Sequence, residues 1–280
     1  TGYALLGLVI ERVARMSYAD FVRERLFEPL GMGRTTFGRD DAADADVADG
    51  LFEAPDGRFR AAPRFHPSLG FSAGGIFSTV EDLGRWDQAL EEGRVLSASS
   101  RAEMFAAGEG DFGLGWLILK TWGRKDIAHG GGAPGYGAWI ERWPEDGVFV
   151  AVLSNVGGAP VGEIGRSLAA ILFRQEVQAP AARNAVAQAG GAGGEIAGPY
   201  RLDDGSPRDV LWEGGRFFLR RDGGPKYPIL PGGLDLFFFP NDKGASMRFT
   251  RDRTGRVTGY VLHQLGVDRR AEKVQARGKR

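Results

Sequence analysis

An α+β fold followed by a small all-β module is what this sequence predicts, and three observations lead there. Helical periodicities open the chain and close its first 177 residues. Between them lie short apolar or alternating runs broken by Gly, the pattern of an antiparallel sheet flanked by helices. Residues 178–194, "QAPAARNAVAQAGGAGG", are small and nearly uncharged, the composition of a linker. Residues 195–280 then alternate and turn at "EGG", "PGG" and "RTG", as a small β-barrel does.

The elements follow in order. In "TGYALLGLVIERVARM", Leu5, Leu6, Val9, Ile10 and Val13 recur at helical spacing, and Ser17 with Asp20 caps a second helix ending near Pro29. The chain enters its first helical pattern at once, from Thr1, which predicts a missing upstream segment. Residues 39–50, "RDDAADADVADG", read as a solvated loop, because the ligand spacing and closing Glu of an EF-hand are absent. Ser78 and Glu81 form a capping box for a helix that presents Leu83, Trp86 and Leu90 on one face. "FGLGWLILKTW", "KDIAHGG", "GYGAWIERW" and "GVFVAVLSN" predict a meander of strands, turning at "PEDG", and "VGEIGRSLAAILFRQEV" predicts the helix that closes it.

Composition narrows the function. The 36 basic and 36 acidic residues cancel, so no global field draws the protein to nucleic acid or an anionic membrane. A small-molecule or peptide substrate suits it better. No apolar run reaches the length of a membrane span. The lack of cysteine removes disulfides, thiolate zinc sites and cysteine nucleophiles, and no cofactor or metal motif is present.

Two motifs resemble sites without their context. "GFSAGG" places Ser72 in G-x-S-x-G, but a nucleophile elbow needs a buried strand just before it, and "RAAPRFHPSLG" carries Pro63 and Pro67 there. Ser72 reads as a structural position, with Gly74 and Gly75 serving a backbone turn. Gly108, Gly110 and Gly113 spell G-x-G-x-x-G after a helical rather than a strand pattern, the reverse of a dinucleotide site. His66 and His263 lack partners at metal spacing. His129 differs, because "AHGGGAPGYGAWI" puts an ionisable ring at a strand end before Gly130, Gly131 and Gly132, where a substrate can lie against open backbone N–H groups. The same spacing also fits a tight turn with an exposed polar histidine.

Several ordered blocks resemble the serine β-lactamase-like hydrolases, the family of class C β-lactamases, D-alanyl-D-alanine carboxypeptidases, D-aminopeptidases and related esterases. The resemblance covers residues 1 to about 175. "TGYALLGLVIERVARMSYADFVRERLFEPLGMGRTTF" resembles the segment after the family's Y-S-N element. "SAGGIFSTVEDLGRW" resembles its Gly-Gly turn and helix entry, and "GLGW" through "HGGGAPGYGAWIERWPEDGVFVAVLSN" its last strands. The resemblance implies acyl transfer through a serine ester, with His129, Gly130 and Gly131 in the K-T-G or H-x-G position and the Gly132 N–H as half of an oxyanion hole. It also implies a periplasmic or secreted location, and the module behind the linker resembles a lipocalin-like β-barrel. The resemblance implies a nucleophile in an S-x-x-K motif, with the Lys and the tyrosine of Y-x-N handling its proton, and here the sequence departs: none of its eleven serines has Lys three positions on, and none of its six tyrosines has Asn two positions on. The expectation is the C-terminal portion of a serine hydrolase, inactive alone, whose nucleophile and base lie upstream. Two other readings stand beside it, a non-catalytic binding protein of this fold and an N-terminal hydrolase using Thr1, the last opposed by the helix that begins there.

Overall fold

The computed structural model describes residues 2–38, 47–54, 57–63, 70–108, 111–177, 193–240, 242–264 and 267–274. Contacts divide the chain into two compact units, residues 1–169 and 170–280. Most of the expected linker, 178–192, lies outside the described residues, as do Thr1, His66 and most of the acidic loop. Residues 193 and 194, expected in the linker, begin a short helix of the second unit.

Unit 1 opens with α1 (Gly2–Ala14) and α2 (Tyr18–Val22), and a π-helical turn, Arg23–Phe27, runs on from α2. Ser17 caps α2 as expected, accepting from the Asp20 N–H at 3.0 Å. Val22, Phe27 and Met32 form a small core with Tyr18, Phe21 and Trp86 packed on it. Short strand pairs follow: β1 (Thr36–Phe37) with β4 (Ile76–Phe77), and β2 (Leu51–Glu53) with β3 (Phe59–Ala61).

The next helix, α3, spans Val80–Glu91, and its cap is one residue later than the sequence predicts. Thr79, not Ser78, accepts from the Asp82 N–H. The Ser78 hydroxyl is engaged instead by Thr35, at 2.8 Å, from 43 residues away. Asp82 is fully buried and holds that junction together, accepting from the Arg34 N–H at 2.8 Å and the Thr35 hydroxyl at 2.9 Å while pairing with Arg85.

After α4 (Ala98–Met104) comes the predicted meander: β5 (Leu117–Thr121), β6 (Arg124–Ala133), β7 (Tyr136–Trp143) and β8 (Val148–Ser154), antiparallel and in that spatial order. "PEDG" makes a 3-10 turn closed by Gly147 in the left-handed region, φ 64°, which glycine adopts at no steric cost. One face of the sheet packs Ile118 and Ile127 with Leu90 of α3 and Trp116, beside Phe105 and Ile140. The other receives α5 (Val161–Leu172), where small Gly165 lets the Trp139 ring approach; a β-carbon there would stand 2.6 Å from it.

Helix α1 forms as predicted, yet its apolar face is uncovered. Leu5, Leu6, Leu8 and Val9 are each more than half exposed, Val13 is 79% exposed, and Gly7 alone is buried among the helix residues. Helix α5 buries Val161, Gly165, Arg166 and Ala169 but exposes Ile164, Leu168, Ile171 and Leu172, a second stripe at helical spacing. The outer edge of β8 also pairs with no strand among the described residues.

Unit 2 carries α6 (Gly193–Ile196) and eight antiparallel strands closed into a barrel: β9 (Gly198–Leu202), β10 (Pro207–Glu213), β11 (Arg216–Arg221), β12 (Lys226–Gly233), β13 (Leu236–Phe239), β14 (Asp242–Arg251), β15 (Val257–Gln264) and β16 (Val267–Lys273). "EGG" and "RTG" fall in turns as predicted, whereas β12 runs through "PGG" and the chain reverses at Leu234 and Asp235. Closure leaves no sheet edge. Inward side chains, among them Tyr200, Phe217, Phe237, Met247, Phe249 and Tyr260, fill the interior. No described helix is long and apolar enough to cross a membrane.

Candidate active site

His129 stands on β6 opposite Ile140 of β7, two residues beyond Ile127 and therefore on the sheet face that α3 covers. Ile127 is in the core, and His129 is exposed just past its end. Surrounding protein still desolvates the ring, which holds its pKa below the ordinary histidine value and keeps the imidazole neutral at pH 7. No side chain among the described residues hydrogen-bonds it.

The glycines after it have different reasons. Gly130 is glycine because Trp139 crosses it: a β-carbon would lie 2.9 Å from the indole. At Gly131 and Gly132 a β-carbon would make only ordinary contacts, 3.9 Å to Ala138 and 3.7 Å to the Tyr136 carbonyl, so side chains are absent where space exists. The pairing of β5 with β6 ends at Leu117 with Ala128, while β7 pairs with β6 out to Ala133. From His129 to Ala133 the β5 side of β6 therefore pairs with no strand among the described residues and is a free edge, with alternate N–H and C=O groups directed outward.

Two supports make that edge rigid. The β6–β7 turn is clamped by β2 and the residues before it: the Leu51 N–H donates to the Gly135 carbonyl at 3.3 Å, and the Tyr136 hydroxyl donates to the Ala48 carbonyl at 2.8 Å. Tyr136 also packs edge-on against Phe77, centroids 5.4 Å apart. Behind the strand, Trp139 donates to Glu141 at 3.1 Å. Arg166 of α5 reaches both buried carboxylates, Asp126 at 3.0 Å by an aligned hydrogen bond and Glu141 at 2.6 Å by close ionic contact. Burial raises the Glu141 carboxyl above the carboxylate range against the pull of Arg166, with the Asp126 hydrogen bond adding to the rise. Nothing in the sequence motifs marked these residues; the signal was charge at Asp126, Glu141 and Arg166 on faces whose neighbours are apolar or small.

The other candidates separate from this site. Ser72 lies in a 3-10 turn, Phe71–Ala73, and its hydroxyl donates to the Tyr3 carbonyl of α1 at 2.7 Å. It packs so closely on Gly7 that a β-carbon there would sit 2.1 Å from its oxygen, so Ser72 joins α1 to the loop. Gly75 is equally constrained, by the Phe37 ring at 2.8 Å and the Phe71 carbonyl at 2.9 Å. The G-x-G-x-x-G segment runs from helix to strand, and its Gly110, with Glu109 before it, lies outside the described residues. His263 pairs with Asp268 at 2.7 Å on the barrel surface. No group of three or more His, Cys, Asp or Glu side chains converges as a metal site among the described residues.

A helix-flanked antiparallel sheet with a glycine-rich free edge is the frame of the serine β-lactamase-like fold. The β-lactamase family profile matches residues 1–173, and the chain belongs to this family. It is 26% identical to penicillin-binding protein 4* of Bacillus subtilis (strain 168), over 97% of this chain and 65% of that protein. Among solved structures, it is similar to the octameric penicillin-binding protein homologue from Pyrococcus abyssi, at 24% identity and TM-score 0.59, over 97% of this chain and 64% of that one. It is also similar to D-amino acid amidase from Ochrobactrum anthropi SV3, at 29% identity and TM-score 0.51, over 56% of this chain and 49% of that one. The chain thus spans about two thirds of the first two and half of the third.

Proposed function

We propose that this chain forms the C-terminal wall of the acyl-transfer site of a serine hydrolase that opens amide, β-lactam or ester bonds through a covalent acyl-enzyme. The observation that carries the reading is the free edge of β6 from His129 to Ala133, rigid behind and bare of side chains where an extended acyl group would lie. In this role the edge pairs with the substrate backbone, and the Gly132 N–H donates to the carbonyl oxygen as it becomes an oxyanion. Gly130 and Gly131 let the substrate approach closely. A neutral His129 donates or accepts one hydrogen bond at the substrate or the nucleophile; it orients, and does not supply the fixed positive charge of a lysine. The names of the relatives, penicillin-binding proteins and an amidase, favour amide and lactam substrates over esters.

In the same reading the nucleophilic serine, its lysine and the tyrosine base come from polypeptide outside this sequence, because no serine here is followed by Lys at the third position and no tyrosine by Asn at the second. The uncovered apolar faces of α1 and α5 and the bare edge of β8 are surfaces such polypeptide would cover. The test is His129→Ala in the protein extended upstream through its serine. Acylation should fall by roughly 10² to 10⁴, the range for a positioned proton-transfer or electrostatic group, with the melting temperature unchanged. An unchanged acylation rate from pH 5 to 9 would reduce His129 to a surface residue.

A further inference from the structure

The end of the barrel opposite α6 gathers arginines on its inside. Val210 of β10 and Leu219 of β11 point into the core, so Arg208 and Arg221, two residues further along those strands, point inward at the mouth. They are directly paired across the strands. Arg269 of β16 pairs with buried Leu262 and so shares that inner face, as does Gln264 at the end of β15.

The counter-charges do not match. Asp204, at the rim, is engaged by the Ser206 N–H at 2.8 Å and by the Ser206 hydroxyl, and lies 3.6 Å from Arg269. Arg208 and Arg221 have neutral acceptors: the Pro207 carbonyl at 2.8 Å and the Gln264 side-chain oxygen at 3.4 Å. Neither has a carboxylate at ion-pair distance among the described residues. Burial and the neighbouring Arg221 both lower the Arg208 pKa, the mark of crowded cations.

A second observation points to the same place. Tyr260 is 1% exposed, yet its hydroxyl has no hydrogen-bond partner, and the Arg208 Nε is likewise buried and unpartnered. The charges that act on the Tyr260 hydroxyl are Arg208, Arg221 and Asp204, so it is directed toward the mouth. Native interiors rarely leave such donors unmatched, and two of them beside crowded guanidinium groups ask for an acceptor that carries negative charge.

We propose that this mouth of the barrel binds an oxyanion group, a carboxylate or a phosphate of a small ligand, between Arg208 and Arg221, with the Tyr260 hydroxyl donating to it from below. The planar forks of the two arginines suit a group with two or three oxygens, and its charge relieves their repulsion. The site belongs to the barrel and is independent of the acyl-transfer reading.

The test is titration of the full 280-residue chain at low ionic strength with inorganic phosphate and, separately, acetate, followed by the arginine Nε–H signals in nitrogen-15 NMR. Saturable shifts of the Arg208 and Arg221 signals are expected. Arg221→Gln, at an exposed position, should weaken binding by about tenfold, the loss of one charge-assisted contact, while Arg216→Gln at the other end of the barrel should leave it unchanged. Tighter phosphate than acetate assigns a phosphate ligand, and the reverse a carboxylate. Shifts that fail to saturate with either anion, or equal losses in Arg221→Gln and Arg216→Gln, would overturn the site.

Discussion

The two units solve the same problem, burying apolar side chains, in opposite ways. The barrel closes every strand edge and fills its centre with hydrocarbon and aromatic rings. The first unit keeps an open four-stranded sheet, leaves apolar stripes on α1 and α5 in solvent, and buries an Asp126–Arg166–Glu141 cluster behind its candidate site. A closed sheet is stable by geometry. An open one has edges and faces that can be put to use, and here the free edge and the glycines coincide.

Replacing a whole core cluster, rather than one residue of it, should separate the two kinds of core most strongly. Arg166→Ala leaves two buried carboxylates without their cation and should cost about 3–5 kcal/mol. Phe237→Ala in the barrel should cost a similar ~3–5 kcal/mol through lost burial and the cavity left behind. The difference appears on full replacement: exchanging Asp126, Glu141 and Arg166 together for apolar residues of similar size should be neutral or stabilising, because desolvation of the charges disappears with them. No second exchange in the barrel can recover Phe237→Ala in that way. Urea unfolding of each variant measures both effects; a triple variant as unstable as Arg166→Ala would mean that the cluster stabilises the sheet outright.

A smaller effect sharpens the contrast through pH. Asp87 of α3 is in ionic contact with Arg142 at 2.8 Å, yet its pKa is raised to about 6, because burial outweighs the attraction of Arg142 and Glu91 adds repulsion. A carboxyl whose folded pKa lies above its unfolded value, about 3.9, binds more protons when folded. Its contribution therefore falls as pH rises from about 4 to 6, with a slope of at most ~1.4 kcal/mol per pH unit. Asp87→Asn should flatten the stability profile in that window, read by thermal melts at half-unit steps. A slope that survives the substitution would assign it to another group.

The meander was legible in the sequence because each strand alternates or is continuously apolar and each turn carries Gly, down to the left-handed Gly147 of "PEDG". The barrel was legible as a module but its strand count was not: β9 and β16, "GPYRL" and "VDRRAEK", are too polar to stand out and become strands only by pairing with their neighbours. The helix cap moved from Ser78 to Thr79 because a distant residue, Thr35, competes for the serine hydroxyl. Long-range register likewise hid the charge cluster, since nothing local joins Asp126, Glu141 and Arg166. His129 and its glycines were visible as a motif, whereas the free edge that gives them meaning depends on where β5 stops.

Covalent labelling separates a chain that supplies only a binding wall from one that also carries the nucleophile. The 280-residue chain and a version extended upstream are each treated with a penicillin and a fluorophosphonate probe, then read by intact mass and peptide mapping, with heat-denatured controls. No adduct is expected on the chain alone, and a stoichiometric adduct on the extended protein, at a serine followed by lysine three positions on and absent from the present numbering. Stoichiometric labelling of the chain alone, at Ser72 or any other of its eleven serines, would contradict that expectation.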